Sequence, residues 1–407
     1  MFFKKRKTEH IRKQFPVLND RKLIYVDHAC MSLRPTCVID AISSYYTKYS
    51  SCAGRSTHTL SRELDQELIE ARKTVASFIG AKPEQVAFTR NATESINIVA
   101  RGTQWSRGDV VIISNKEHNS NVLPWKELES RGVAIEIVAV DSSGVLSVSA
   151  LRSVLAECKR KKRNVKLIAL HHVSNVDGIA VDVQACANVA AEFGTRILID
   201  GCQAVGHFPV NVRDLGVDYY VWSAHKMFGP SGMGALYAKD FSSLEPVMLG
   251  GSTVTDVRRE GFDLAPAPAC FEAGLQDYAG ILGFARACKF VSEIGLAEIS
   301  KRIGACYDAL TLGLLPLHSE GKIRLLDPKK SGHSIVTFEV PGKNAQDVGL
   351  LLDSGFHIAV RAGYHCAHIY HHDMKSTGTV RISLHVTNTV EEMSKIVAAV
   401  KAVVESA

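Results

Sequence analysis

The chain has 407 residues, 46% of them hydrophobic and 22% charged, with a net charge of +6. This composition excludes a disordered or fibrous chain, and the length allows about two domains at the usual one per 100–200 residues. The positive excess sits in short runs, KKRK at 4–7 and KRKKR at 159–163, which read as solvated faces and argue against a nucleic-acid partner.

In chain order, the N-terminus MFFKKRKTEHIRKQF carries charge but no apolar signal core. The amphipathic stretch LSRELDQELIEARKTVASFIG predicts a helix closed by Gly80, followed by a strand VAFTR and a helix from Ala92. The alternation continues through the strand DVVIIS, a helix near Pro124, the strand AIEIVAV, a helix over 151–158 and the strand VKLIALHHV. A helix over 183–193 and the strands RILID and DYYVWS complete it. Continuous apolar strands alternating with helices predict an α/β fold, a mainly parallel sheet covered on both faces. After about residue 279 come two helices, the strand HSIVTFEV, a helix around Leu350, the strands IAVRAG and TVRISLHV, and a closing helix over 390–404. The expected organisation is a large domain over 24–278 and a smaller α+β domain made of 1–23 and 279–407.

No run approaches the ~18 apolar residues of a spanning helix, so no membrane partner is expected. The ten cysteines include no CxxC pair and fit small buried hydrophobes in a reducing compartment, which points to a cytoplasmic protein.

Ligands of such sheets bind at the carboxyl ends of the strands, and four of these ends carry chemistry. RILI delivers Asp200, YYVW delivers Ser223, His225 and Lys226, LIAL leads to Asn175, and VAFTR leads to Asn91-Ala92-Thr93 at a helix start. A lysine, a carboxylate, hydroxyls and a helix N-terminus together suit pyridoxal 5'-phosphate: the amine bonds its aldehyde, the carboxylate keeps the pyridine nitrogen protonated, and the helix start takes the phosphate. Gly229, Gly232 and Gly234 predict a loop after Lys226 and are expected to let backbone approach that cofactor. Singly, Asp200 reads as a helix cap and Lys226 as a loop lysine; four strand ends converging by chance is the harder reading.

With the segments YVDHACMSLRP, TRNATESINIVARG, EHNSNVLPW, IDGCQAVGHFPVNV, SAHKMFGPSGMGALY, FEAG, RAGYHCA and VRISLHVTNT, the chain resembles the class V aminotransferase-like, fold-type I enzymes. Within them RAGYHCA resembles the group II (SufS-like) cysteine desulfurases. The resemblance implies a seven-stranded sheet and the conversion of L-cysteine to L-alanine, with sulfur carried on Cys366 as a persulfide and collected by a sulfur-acceptor protein, for example for iron–sulfur cluster assembly. It implies that Lys226 bonds the cofactor and takes the Cα proton, that Asp200 pairs with the pyridine nitrogen, and that His118 stacks on the ring. Gln203 and Asn175 would reach the phenolic oxygen, while Thr93, Ser223, His225 and the Ala92 N–H would bind the phosphate. Arg381, with Arg361 and Asn175, would take the substrate carboxylate; His58 matches a position near the entrance. Cys366 lies beside His365, and a thiol beside basic groups ionises more readily. A homodimer is implied as well.

Other readings share these residues. Selenocysteine lyase, or another class V lyase or aminotransferase, would use the same lysine and thiol. A scaffold that delivers sulfur through the run 159–163 is argued against by the intact Lys226, Asp200 and Cys366. The tract around His365, His368, His371 and His372 fits no familiar ligand spacing, so no metal is expected. Two positions depart from the family pattern: Ala92 precedes Thr93 where two threonines are usual, and Leu275 stands where a threonine usually reaches the neighbouring subunit's phosphate.

Overall fold

A computed structural model describes residues 10–19, 21–329 and 332–406. The run 4–7 lies outside them. After a short strand β1 (Ile24–Tyr25) come the seven strands of the large sheet: β2 (Val86–Thr89), β3 (Val110–Ser114), β4 (Ala134–Val138), β5 (Val165–His171), β6 (Arg196–Asp200), β7 (Tyr219–Ser223) and β8 (Gly234–Ala238). Their spatial order is β2-β8-β7-β6-β5-β3-β4, with only β8 antiparallel to its neighbours. Period-two alternation divides the core. Val110, Ile112, Ile168 and Ile199 pack on one face with Leu151 and Cys186, whereas Val111, Ile113, Ala169 and Leu198 pack on the other with Ile96, Val99 and Trp125. β8 was read as loop from its glycines, but GALYA is wholly buried and completes the sheet.

The chain then forms an exposed antiparallel hairpin, β9 (Val254–Arg258) and β10 (Gly261–Leu264), that the sequence reading did not identify. The smaller sheet comprises β11 (Arg324–Leu325), β12 (Ile335–Glu339), β14 (Arg361–Gly363) and β15 (Thr379–Ser383) in the order β11-β12-β15-β14; β13 (Ile358–Ala359) instead pairs in parallel with β1. Two segments cross the expected boundary. The helix Tyr278–Ile294 packs on the helices Thr36–Ser44 and Thr59–Phe78 of the large body, and residues 24–25 are paired with the small one. Apolar positions cover all of Tyr278–Ile294 except a narrow face of Arg286, Lys289, Ser292 and Glu293, so it needs the deeper burial. Among the described residues no helix is long and apolar enough to cross a membrane. The run 159–163 is tied down locally: Arg160 and Lys161 pair with Glu157, and Arg163 pairs with Glu136.

Three buried histidines meet where the bodies join. His385 lies 4.5 Å from His207 and 5.6 Å from His28, ring centre to ring centre, and one nitrogen of each ring has no partner. Burial lowers His28 to about 3 and His207 to about 4, and carries His385 well below the ordinary value; the neighbouring rings and, for His28, Arg12 add to this. All three are therefore neutral when folded and take up a proton near pH 6.5 when unfolded. The stability they support is complete above pH 6.5 and falls as pH drops towards 4, by up to about 1.4 kcal/mol per pH unit for each ring. Urea midpoints measured from pH 7.5 to 4.5 are expected to drop through this window. A flat profile would refute the neutral assignment.

Candidate active site

The register of the large sheet sets the site. His171 lies opposite Asp200, Asp200 opposite Val221, and Gly234 opposite both Ser223 and Thr89, so the chemistry-bearing strand ends share one edge. A cavity of about 240 Å3 opens there, lined by Lys226, Asp200, His118, Asn175, Ala92, Thr93, Ser223, His225, Arg361, Arg381 and Cys366, together with Ala29, Cys30, Asn91, Ser120, Cys202 and His365. The first eleven were expected as site residues; of the other six, Asn91 and His365 were expected beside them, whereas Ala29, Cys30, Ser120 and Cys202 were not. Ala29 and Cys30 carried no signal beyond their place in YVDHACMSLRP.

Lys226 ends a single 3-10 turn that begins directly after β7, so the strand aims it. Asp200 is buried at the end of β6, where its Oδ1 accepts the Cys202 N–H at 2.9 Å. His118 is held from beneath. The buried Glu117 carboxylate takes hydrogen bonds from Ser114 Oγ (2.6 Å) and Asn121 Nδ2 (2.8 Å) and meets His171 Nδ1 at 2.7 Å, which fixes the loop after β3. Burial lowers the His118 ring to about 4, with Lys226 adding to the shift and Asp200 opposing it, so the ring is neutral at pH 7. His225 is brought to about 4 mainly by burial and is likewise neutral.

The helix Ala92–Gly102 begins at the cavity. Asn91 caps it by accepting the Glu94 N–H at 3.0 Å, the Ala92 N–H donates to Ser223 Oγ at 2.9 Å, and Thr93 Oγ1 lies 2.7 Å from Ser120 Oγ. The glycines serve a different purpose from the one expected. A Cβ on Gly234 would stand 2.6 Å from Asn91 Cα, and one on Gly229 would stand 2.7 Å from the Ala224 side chain. They let backbone pack on backbone around the lysine turn, and none lines the cavity.

The small body supplies the other wall. Arg361 on β14 and Arg381 on β15 are cross-strand partners, and like charges so placed repel unless an anion sits between them. Asp27 answers part of that charge, its Oδ1 accepting from Arg381 Nη2 at 3.1 Å, while Nη1 donates to the Asn175 carbonyl at 2.9 Å. Arg381 is 3% exposed, and its Nε has no partner. This pair of guanidiniums with an unsatisfied buried donor is what a substrate carboxylate would complete.

Cys366 lies on the loop after β14, and both it and His365 adopt left-handed backbone (φ 57° and 50°), unusual for residues other than glycine. Two hydrogen bonds hold the loop against the large body: Asn119 N–H to the Cys366 carbonyl at 2.6 Å, and Asn175 Nδ2 to the His365 carbonyl at 2.7 Å. The basic neighbour expected in His365 is not basic. Burial first, then Arg381, carry its pKa well below the ordinary value, and Nε2 is engaged with Thr379 Oγ1 at 2.8 Å. The cations of the cavity wall here are Arg361 and Arg381. His371 meets the same Thr379 and the Ala367 carbonyl, and His368 meets Asn119, so these rings already have protein partners. Among the described residues no group of three or more His, Cys, Asp or Glu is arranged to hold a metal ion.

Two expected residues stand off the cavity. Gln203 is buried and donates to the Ala29 carbonyl at 2.8 Å, and His58 is exposed at the start of the helix Thr59–Phe78, accepting the Ser61 N–H at 3.3 Å. Leu275 is 72% exposed.

Fold and site together define a fold-type I enzyme with a lysine, a carboxylate and a helix start at the edge of a mainly parallel sheet. The chain belongs to the class-V aminotransferase family, whose sequence model matches residues 24–396. It is 36% identical over 408 residues to a probable cysteine desulfurase of Pyrococcus abyssi, covering 98% of each chain. It is 35% identical over 395 residues to one of Methanothermobacter thermautotrophicus, covering 95% of this chain and 96% of the other. The structure is similar to the apo cysteine desulfurase of Thermococcus onnurineus, with a TM-score of 0.92 and 34% identity over 98% of each chain. It is also similar to the Escherichia coli cysteine desulfurase CsdA, with a TM-score of 0.88 and 29% identity over 98% of each chain.

Proposed function

We propose that this chain is a pyridoxal-phosphate-dependent cysteine desulfurase that converts L-cysteine to L-alanine and carries the sulfur on Cys366. The observation that supports it most directly is the convergence of Lys226 and Asp200 from the large body with Cys366, Arg361 and Arg381 from the small body on one cavity. The donor set fits the cofactor: Lys226 Nζ for its aldehyde, Asp200 for its pyridine nitrogen, and Thr93 at a helix start, with Ser223 and His225 from the end of β7 and the turn after it, for its phosphate. When bound, pyridoxal phosphate supplies an electron sink for the pair left at the substrate Cα.

The chain's own groups do the rest. Arg381, assisted by Arg361, binds the substrate carboxylate and so fixes where the thiol group points. Lys226 Nζ takes the Cα proton and is the group placed to return a proton to the product. Cys366 Sγ attacks the substrate sulfur; the new S–S bond forms as the C–S bond breaks, and alanine leaves. His118, kept neutral, lines the cavity without opposing the cations there. The persulfide on its loop is then available to a sulfur-acceptor protein.

The test is direct. Purified protein with cofactor and L-cysteine, under reductant, is expected to yield alanine and sulfide in equal amounts, and Cys366→Ala to lose both from cysteine by at least ~10²-fold. Alanine production that survives this substitution would reject the thiol's role.

We also infer a homodimer. Val257 and Phe262, directly opposite one another, and Leu264 are exposed apolar side chains on the β9–β10 hairpin, and Met248, Leu249 and Leu275 are exposed on the segments before and after it, apolar surface that suits a partner face. Sedimentation is expected to give twice the 44.4 kDa chain mass, and Phe262→Asp to shift it towards that of one chain. A monomer at micromolar concentration would overturn the inference.

A further inference from the structure

Three cysteines line the cavity: Cys30, Cys202 and Cys366. Cys202 is silenced. Burial, with Asp200 adding to it, raises its thiol to about 12, and its Sγ faces Ser223 Oγ. Cys30 is placed differently. It is half-buried and unpaired, and Arg361 Nη1 lies 2.9 Å from its Sγ, a cationic donor of the kind that supports sulfur nucleophiles.

The surroundings hold Cys30 firmly. Its own N–H donates to the Asp27 carbonyl at 3.2 Å. The preceding Ala29 donates to Ser383 Oγ at 2.9 Å and accepts from Gln203 at 2.8 Å, so small and large bodies both fix it. Arg361 begins β14, the strand that runs directly into the Cys366 loop, so the residue gripping Cys30 is five positions from the sulfur-carrying thiol. Arg381, whose buried Nε has no hydrogen-bond partner, lines the same cavity as Cys30, Arg361 and Cys366.

We infer that Cys30 is a second catalytic thiol, which takes the sulfane sulfur from Cys366 and resets Cys366 for another turnover; the inference rests on the desulfurase reading. Cys30 Sγ, as thiolate, attacks the terminal sulfur of the Cys366 persulfide. The S–S bond to Cys366 breaks, a new one forms to Cys30, Cys366 departs as thiolate, and the hydrogen on the terminal sulfur stays there. No oxidant or reductant is consumed. Arg361, needed by the substrate carboxylate during the first half of the cycle, is free to serve Cys30 once alanine has left.

The experiment incubates holoenzyme with L-cysteine without reductant, quenches with an alkylating electrophile, and maps persulfides to peptides by mass while counting alanine. Sulfane sulfur is expected on both the Cys30 and Cys366 peptides of the wild type, and its loss from the Cys30 peptide in Cys366→Ser. Alanine formed with sulfur on Cys366 alone would overturn the relay and leave the desulfurase reading standing. No alanine at all would overturn both. Sulfur reaching Cys30 undiminished in Cys366→Ser would show a direct route and also overturn the relay. A second readout needs no turnover: in cofactor-free protein, iodoacetamide is expected to modify Cys30 faster than Cys202, and more slowly after Arg361→Gln. An equal rate with and without Arg361 would remove the activation the relay requires.

Discussion

Lys226→Ala is expected to reduce alanine formation from cysteine by at least ~10³-fold, because one substitution removes both the amine that holds the cofactor and the base that takes the Cα proton. The near-visible absorbance of the purified protein should change with it. The fold should not. Lys226 is only half-buried at the cavity wall, so its removal opens no void in the packed core. The melting temperature of the cofactor-free protein is expected to stay within about 2 °C of cofactor-free wild type, since changes away from packed or paired groups lie within ±0.5 kcal/mol. Alanine formation that fell by less than tenfold would mean that another group moves the Cα proton.

Arg381→Met should do the opposite and damage both stability and catalysis. Arg381 is buried, and burial lowers its pKa while Asp27 opposes that; burial in turn raises Asp27. Each group makes the other's charge tolerable. Removing the guanidinium strands a mostly buried carboxylate and an Asn175 carbonyl, at a cost of about 3–5 kcal/mol. The substrate loses its carboxylate partner as well, so kcat/KM is expected to fall at least ~30-fold, chiefly through KM. Arg381→Lys should be intermediate in stability and still poor in KM, because an ammonium cannot offer two parallel donors. A variant with native melting temperature and KM would show that Asp27 needs no partner and that the carboxylate binds elsewhere.

Much of this site could be read before the fold was seen, because strand ends are visible in sequence. An apolar run that stops at Asp200 or Ser223 declares which residue faces the crevice, and Lys226 follows within one turn. What stayed hidden depends on pairs far apart in the chain. Asp27 and Arg381 are separated by 354 positions and Cys30 and Arg361 by 331, and nothing local to either residue announces the other. The neutrality of His365 was hidden for the same reason, since its environment is made by Arg381 and Thr379. Glycines misled in two ways. They disguised β8 as loop, and they suggested a path for a ligand where they provide room for Asn91 and Ala224. The β9–β10 hairpin escaped because its alternation VTDVR and GFDL is short and faces no core.

The Cys366 loop, Arg361 and Arg381 all hang from one small antiparallel sheet, while Lys226, Asp200 and His118 belong to the other body. The small sheet is therefore a caliper. One jaw carries two guanidiniums and the other ends in a sulfur atom, and the gap between them is set by cross-strand spacing that neither side chain can alter alone. Any rocking of one body on the other would move both jaws together, so the span offered to a substrate would be preserved.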